Sequence, residues 1–123
     1  MDTYQDAMEV YDKLPFTDKK FVSPKENSLY RYVIKDKAFI DIMPYLGNND
    51  MGFINIAVLP QYRRQGISKI LCDKAKEDCR KLGVKNLVWK CKTYNNLSYQ
   101  SALSNGFSIV GRDNDELILG FIL

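Results

Sequence analysis

The run Ile54-Asn-Ile-Ala-Val-Leu-Pro-Gln-Tyr-Arg-Arg-Gln-Gly-Ile-Ser-Lys69 narrows the fold more than any other part of the chain. An apolar strand ends at Val58, Pro60 stops it, and a basic turn around Gly66 opens into an amphipathic helix. A strand feeding a helix in this way calls for a right-handed crossover to a further, parallel strand. The same turn gathers free backbone N–H groups, the positive end of a helix dipole, Arg63 and Arg64 in one small volume. Such a volume suits a phosphate-bearing ligand.

At 123 residues the chain is expected to form one domain with a real core. A hydrophobic fraction of 46% and a charged fraction of 27% are those of an ordinary globular protein and exclude a disordered or fibrous one. No apolar run approaches the roughly 18–20 residues a bilayer span needs, so no membrane partner is expected. The first residues carry early acids and no apolar core, which argues against a secretory signal. Three cysteines at unpatterned spacings suit a reducing compartment, and a cytoplasmic location is expected. Because the chain has no histidine, Ser-His-Asp and Cys-His hydrolases and His-based zinc sites are excluded. No metal site is expected. The net charge of +3 hides an asymmetry: residues 61–92 carry a net +7 and the segments on either side −2 each. The positive charge surrounds the glycine turn, where an anion gains most.

Apolar spacing predicts a helix over residues 3–14, ended by Pro15, and mostly loop or a short turn of helix from Asp18 to Asn27. Leu29–Ile34 and Lys37–Met43 read as an antiparallel hairpin, Pro44–Gly52 as a turn-rich loop, and Gly52–Leu59 as a central strand. The helix from Gln65 to Leu82 places Ile67, Ile70, Leu71, Ala75, Cys79 and Leu82 on one stripe. Lys85–Lys92 is the next strand, 96–104 a second helix, and 107–111 and 117–122 a final hairpin turning at Asp113–Glu116. The fold class is therefore α/β: a mixed, mostly antiparallel sheet with a central parallel βαβ crossover and helices on its faces.

The turn is neither a dinucleotide fingerprint nor a nucleotide P-loop, both of which need further glycines at fixed spacing. The chain has instead Arg63-x-x-Gly66-x-Ser68 after Ile-Ala-Val-Leu-Pro, followed by Asn95-x-x-Ser98-x-x-x-Ala102-x-x-x-Gly106-Phe107. These two motifs, in this order, resemble the GNAT superfamily of acyl-CoA-dependent N-acetyltransferases. The resemblance is specific from residue 52 to 111 and loose from 29 to 51. It implies a single GNAT-like domain over 1–123 with an abbreviated N-terminal strand and helix region, and acetyl-CoA as cosubstrate. By the same resemblance, Ile56, Ala57 and Val58 would pair with the pantetheine arm, and Arg63, Arg64, Gln65, Gly66, Ile67, Ser68 and Lys69 would cradle the phosphates. Asn95 would join them, and the Val58 N–H would polarise the thioester carbonyl.

Two departures bear on the chemistry. Many members of the family have at position 102 a tyrosine that protonates the departing thiolate, whereas this chain has Ala102. Ser98, Asn95 and Tyr99 are the candidates for that region. The strand that often carries a basic glutamate offers only Asn55, which leaves Asp41 and Asp50 as the nearest carboxylates. The expected function is acetyl transfer to the primary amine of a small molecule or peptide by direct attack in a ternary complex. The alternative is a non-catalytic acyl-CoA-binding module. Nucleic acid is not an expected partner, because the 61–92 face lacks interleaved aromatics. Homodimers are common in the family, and an exposed apolar strand edge would allow one here.

Overall fold

The computed structural model describes residues 1–123. Six strands build one sheet: β1 (Tyr30–Ile34), β2 (Ala38–Tyr45), β3 (Asn48–Val58), β4 (Asn86–Lys92), β5 (Ser108–Asp113) and β6 (Glu116–Ile122), in the order β1-β2-β3-β4-β6-β5. The helices are α1 (Tyr4–Tyr11), α2 (Phe16–Lys19), α3 (Ile67–Lys81) and α4 (Asn96–Ser104). Of the five strand pairings only β3 with β4 is parallel, and α3 is its crossover. The mixed α/β sheet that the patterning requires is the one that forms.

Side chains alternate between two cores, as a pleated sheet requires. On one face Ile40, Ile54, Leu87 and Trp89 pack with Leu71, Ala75 and Cys79 of α3 and Ala102 of α4. On the other, Phe39, Ala57 and Leu59 pack with Ala7 and Val10 of α1 and with Leu14. Thr3 starts α1 through a capping box: its hydroxyl accepts from the Asp6 N–H, and the Asp6 carboxylate accepts from the Thr3 N–H.

Two expectations are corrected. The segment 44–52 is not a loop, because β2 and β3 continue through it as a long hairpin that reverses at Leu46 (φ 51°) and Gly47 (φ 76°). Two successive positive φ values match the right-handed twist of the flanking strands. Pairing with β2 therefore carries Asn48, Asn49 and Asp50 into a strand against their weak propensity. On α3, Ile70 and Leu82 are 53% and 60% exposed, and Cys72 turns inward instead. The buried stripe follows Ile67, Leu71, Ala75 and Cys79, one step of four at a time, and Ile70 falls on its flank. No helix is long and apolar enough to cross a membrane.

Candidate functional site

The parallel pairing of β3 and β4 is short. It joins Met51 to Asn86, Gly52 to Leu87 and Phe53 to Val88, and then the strands part while both continue, β3 to Val58 and β4 to Lys92. Which main-chain groups face the gap follows from the antiparallel ladder on the other side. The Leu59 N–H donates to the Lys37 carbonyl at 2.8 Å, which makes Ala38 and Val58 a non-hydrogen-bonded pair. The N–H and C=O of Val58, and two residues back of Ile56, therefore point away from β2 into the gap. Those of Ala57 go to Phe39 of β2, so of these three residues Ile56 presents both of its groups to the gap and Val58 its N–H, the Val58 carbonyl being taken by a side chain. A cleft of about 850 Å³ opens there, lined by Ile56 and Val58, by Trp89 to Lys92, by the start of α3 and by Ser98 and Ser101 of α4.

The start of α3 is built to leave donors free. A 3₁₀ turn over Pro60–Tyr62 leads to Arg64 at φ 62° and Gly66 at φ 78°, and Gly66 is the N-cap. Glycine has no side chain to cap with, and none is supplied from elsewhere. The N–H groups from Arg64 through Lys69 have no acceptor within the chain; the series resumes with the Ile70 N–H on the Gly66 carbonyl at 3.2 Å. A Cβ at Gly66 would find no atom within 4 Å, so the space in front of the turn is open. Consecutive free donors, the dipole of a 15-residue helix and an open approach fit a diphosphate. Ile67 is buried and anchors the turn. Gln65 folds its amide back onto the Gln61 carbonyl at 3.2 Å, and the Lys69 ammonium pairs with Asp73 at 2.5 Å. Both residues thus face the cradle with their backbone alone. Arg64 lines the cleft with no carboxylate partner.

Arg63 is occupied elsewhere. Its Nε donates to the Val58 carbonyl at 3.0 Å and its Nη2 to the Asp18 carboxylate at 2.8 Å, so it ties α2 to the end of β3 instead of reaching for phosphate. Ser68 is also engaged: its hydroxyl lies 2.9 Å from that of Ser101 and links the first turn of α3 to α4.

On α4, Asn95 is the N-cap, its side chain accepting from the Ser98 N–H at 3.2 Å. The Ser98 hydroxyl accepts from the Trp89 indole N–H at 3.0 Å and lines the cleft. Tyr99 packs against the main core, away from the cleft lining, and Ala102 is fully buried. The arrangement thus brings Ser98 to the cleft and separates Tyr99 from it.

The carboxylates singled out in the sequence lie elsewhere. Asp41 is buried in an ion pair with Arg31 at 2.8 Å, and Asp50 sits in the exposed hairpin, 3.8 Å from Lys85. Asn55 donates its amide to the Ser23 carbonyl. Two cleft residues that the sequence did not single out are Lys90 and Glu116. Trp89 and Cys91 point into the α3–α4 core, so Lys90 and Lys92 project to the opposite face. Glu116, the register partner of Lys92 on β6, shares that face. The lysine alternation in 88–92 was the available signal, and it became legible only once β6 was known to lie beside β4. Cys72, Cys79 and Cys91 are free and buried, and burial raises all three thiols, Cys72 and Cys79 to about 12. No group of three or more Cys, Asp or Glu side chains is placed to hold a metal ion.

Residues 3–107 match the family model of the acetyltransferase (GNAT) family. No curated protein sequence matches the chain. Among solved structures, the ribosomal-protein-S18-alanine N-acetyltransferase of Escherichia coli aligns with 99% of this chain and 90% of its own, with a TM-score of 0.70 and 24% identity. The PaiA N-acetyltransferase of Thermoplasma acidophilum, solved in complex with coenzyme A, aligns with 71% of this chain and 54% of its own (TM-score 0.64, 18% identity). Ard1 from Thermoplasma volcanium aligns with 71% of this chain and 63% of its own (TM-score 0.61, 20% identity). The aligned part thus spans between half and two thirds of the two Thermoplasma proteins.

Proposed function

Because the chain belongs to the acetyltransferase (GNAT) family, we propose that it moves the acetyl group of acetyl-CoA onto a primary amine by direct attack within a ternary complex. What carries this is the row of unpaired N–H groups from Arg64 to Lys69, set beside a strand gap that offers the main chain of Ile56 and Val58. Residues 64–69 hold the diphosphate, and Ile56 and Val58 bond the amide-bearing arm as an added strand would. Acetyl-CoA supplies a thioester carbon open to attack. The Val58 N–H donates to the oxyanion that develops there, a contact typically worth about 10²–10³ in rate.

As the amine nitrogen bonds to the carbonyl carbon, the C–S bond breaks and the nitrogen gives up one proton. Asp18 is held by Arg63, so Glu116 is the cleft carboxylate left free to take that proton, directly or through a water. Ser98 donates its hydroxyl to the departing thiolate. A thiol with a pKa of about 8.5 leaves with little acid assistance, so a hydroxyl suffices where Ala102 offers nothing. Asn95 acts as a positioning residue, fixing the first turn of α4 on which Ser98 stands.

A second reading, a non-catalytic acyl-CoA-binding module, is favoured by Ala102, which brings no polar group to the sulfur. Thiol release from acetyl-CoA with a panel of amines separates the two: turnover supports the enzyme, and binding without turnover the module. Both readings need the cradle. Calorimetry should find CoA binding in the wild type and none in Gly66→Glu, which aims a carboxylate at the diphosphate from a left-handed position. Equal affinity in the two proteins would remove the basis of the assignment.

A further inference from the structure

The phosphates at the mouth of α3 approach from the α3–α4 face of the sheet, which leaves the opposite mouth of the gap for the acceptor. Lys90 stands in that mouth. It lies two residues beyond Val88, the last residue of β4 paired with β3, and so belongs to the opened part of the strand. Its neighbour across β6 is Ile118, and no carboxylate lies within ion-pair distance of it, whereas Lys92 pairs with Asp115 at 3.2 Å. The ammonium rests 5.1 Å from the centre of the Tyr45 ring, itself packed against Phe53 with centroids 6.3 Å apart. A half-buried cation facing an aromatic ring and no anion retains capacity for a stronger, charge-assisted bond. Glu116 projects on the same face two residues further along the neighbouring strand, roughly 8 Å away when about 3.3 Å of rise per residue is combined with about 4.8 Å between strands.

Resting on the acetyltransferase reading, we infer that Lys90 is a specificity-determining residue that binds a carboxylate of the acceptor while Glu116 faces its amine. The preferred acceptors are then amines bearing a carboxylate a few bonds from the nitrogen. Polycationic amines are disfavoured by the same charge. Two sources meet this chemistry, a free amino acid and a peptide whose N-terminal residues are acidic.

The test compares kcat/KM for a free amino acid, for its decarboxylated amine, for peptides with acidic or neutral second residues, and for spermidine, in wild type and Lys90→Glu. The wild type should prefer the carboxylated member of each matched pair by about tenfold or more, the scale of one hydrogen bond to a charged group. Lys90→Glu should abolish or invert that preference and leave CoA affinity by calorimetry within twofold. The larger preference, among amino acids or among peptides, identifies the source. Equal rates for matched pairs, a preference that survives Lys90→Glu, or spermidine as the best acceptor would overturn the assignment. Should no amine turn over, acceptor binding to the CoA-loaded protein by saturation-transfer NMR reads the same preference. A wild type that fails to bind CoA brings down the acetyltransferase reading itself, a distinct outcome.

Discussion

Glu116 and Ser98 stand on opposite faces of the sheet and can act on one reacting centre only through the gap between β3 and β4. In the proposed reaction that placement would divide the proton traffic, one face accepting from the amine and the other donating to the sulfur. Glu116→Gln should therefore lower kcat by about 10²-fold, the usual scale for removing a positioned base, without changing CoA affinity. An unaltered kcat in thiol-release assays would assign the proton to solvent. At this scale the sequence was legible where the candidate site is made of backbone. Gly66 and the N–H groups after it could be found because a glycine between strand and helix has few structural uses. The engagement of Arg63 went unseen because its partner Asp18 lies 45 positions away, and nothing local announces an ion pair of that span. Lys90 and Glu116 escaped notice for the same reason, since they share a site only after β6 has folded beside β4.

Residues of α2 and the stretch after it form one wall of the cleft, and they stay in place through side chains instead of length. Arg63 grips Asp18 at one end. At the other, Asp41 and Asn55, register partners on β2 and β3, take the Lys25 N–H and the Ser23 carbonyl, while Arg31 bonds the Lys25 carbonyl and the Ser28 hydroxyl. Phe21 and Val22 are stretched between these anchors and line the cleft. Asp18→Ala should raise the KM for the acceptor by about threefold, in keeping with a partly exposed ion pair, while the Kd for CoA moves less. If KM and Kd rose together, the pair would be serving the cradle instead. Sequence patterning found α1, α3, α4 and the six strands but missed the four-residue α2 over Phe16–Lys19, and it made a loop of 44–52, because Asn and Gly signal a turn without saying how short it is. It also took Asp41 for an available base, since burial against Arg31 leaves no trace in local spacing.

For the molecule as a whole, the thiols inside the α3 face give stability a defined alkaline limit. Burial lifts Cys72 and Cys79 from an ordinary value of 9.0 to about 12. In the unfolded chain these groups lose protons above that ordinary value, while the folded chain retains them. Their contribution is thus complete below pH 9.0 and declines as the pH rises toward 12. The unfolding free energy from urea titrations should fall across that window, by roughly 2 kcal/mol per thiol at its centre, and the double variant Cys72→Ala, Cys79→Ala should show a flatter profile. A slope identical in the two proteins would place the alkaline loss on other groups.

Three rungs between β3 and β4, with α3 spanning them, are the binding that joins two leaves of one open book, β1–β3 and β4–β6. Within each leaf the seams hold five to eight register pairs, so this spine is the shortest pairing in the sheet. In the proposed reaction a guest whose amides replaced the absent rungs would stitch the two leaves together, and the pose of one reactant would then depend on whether the other had already filled the seam.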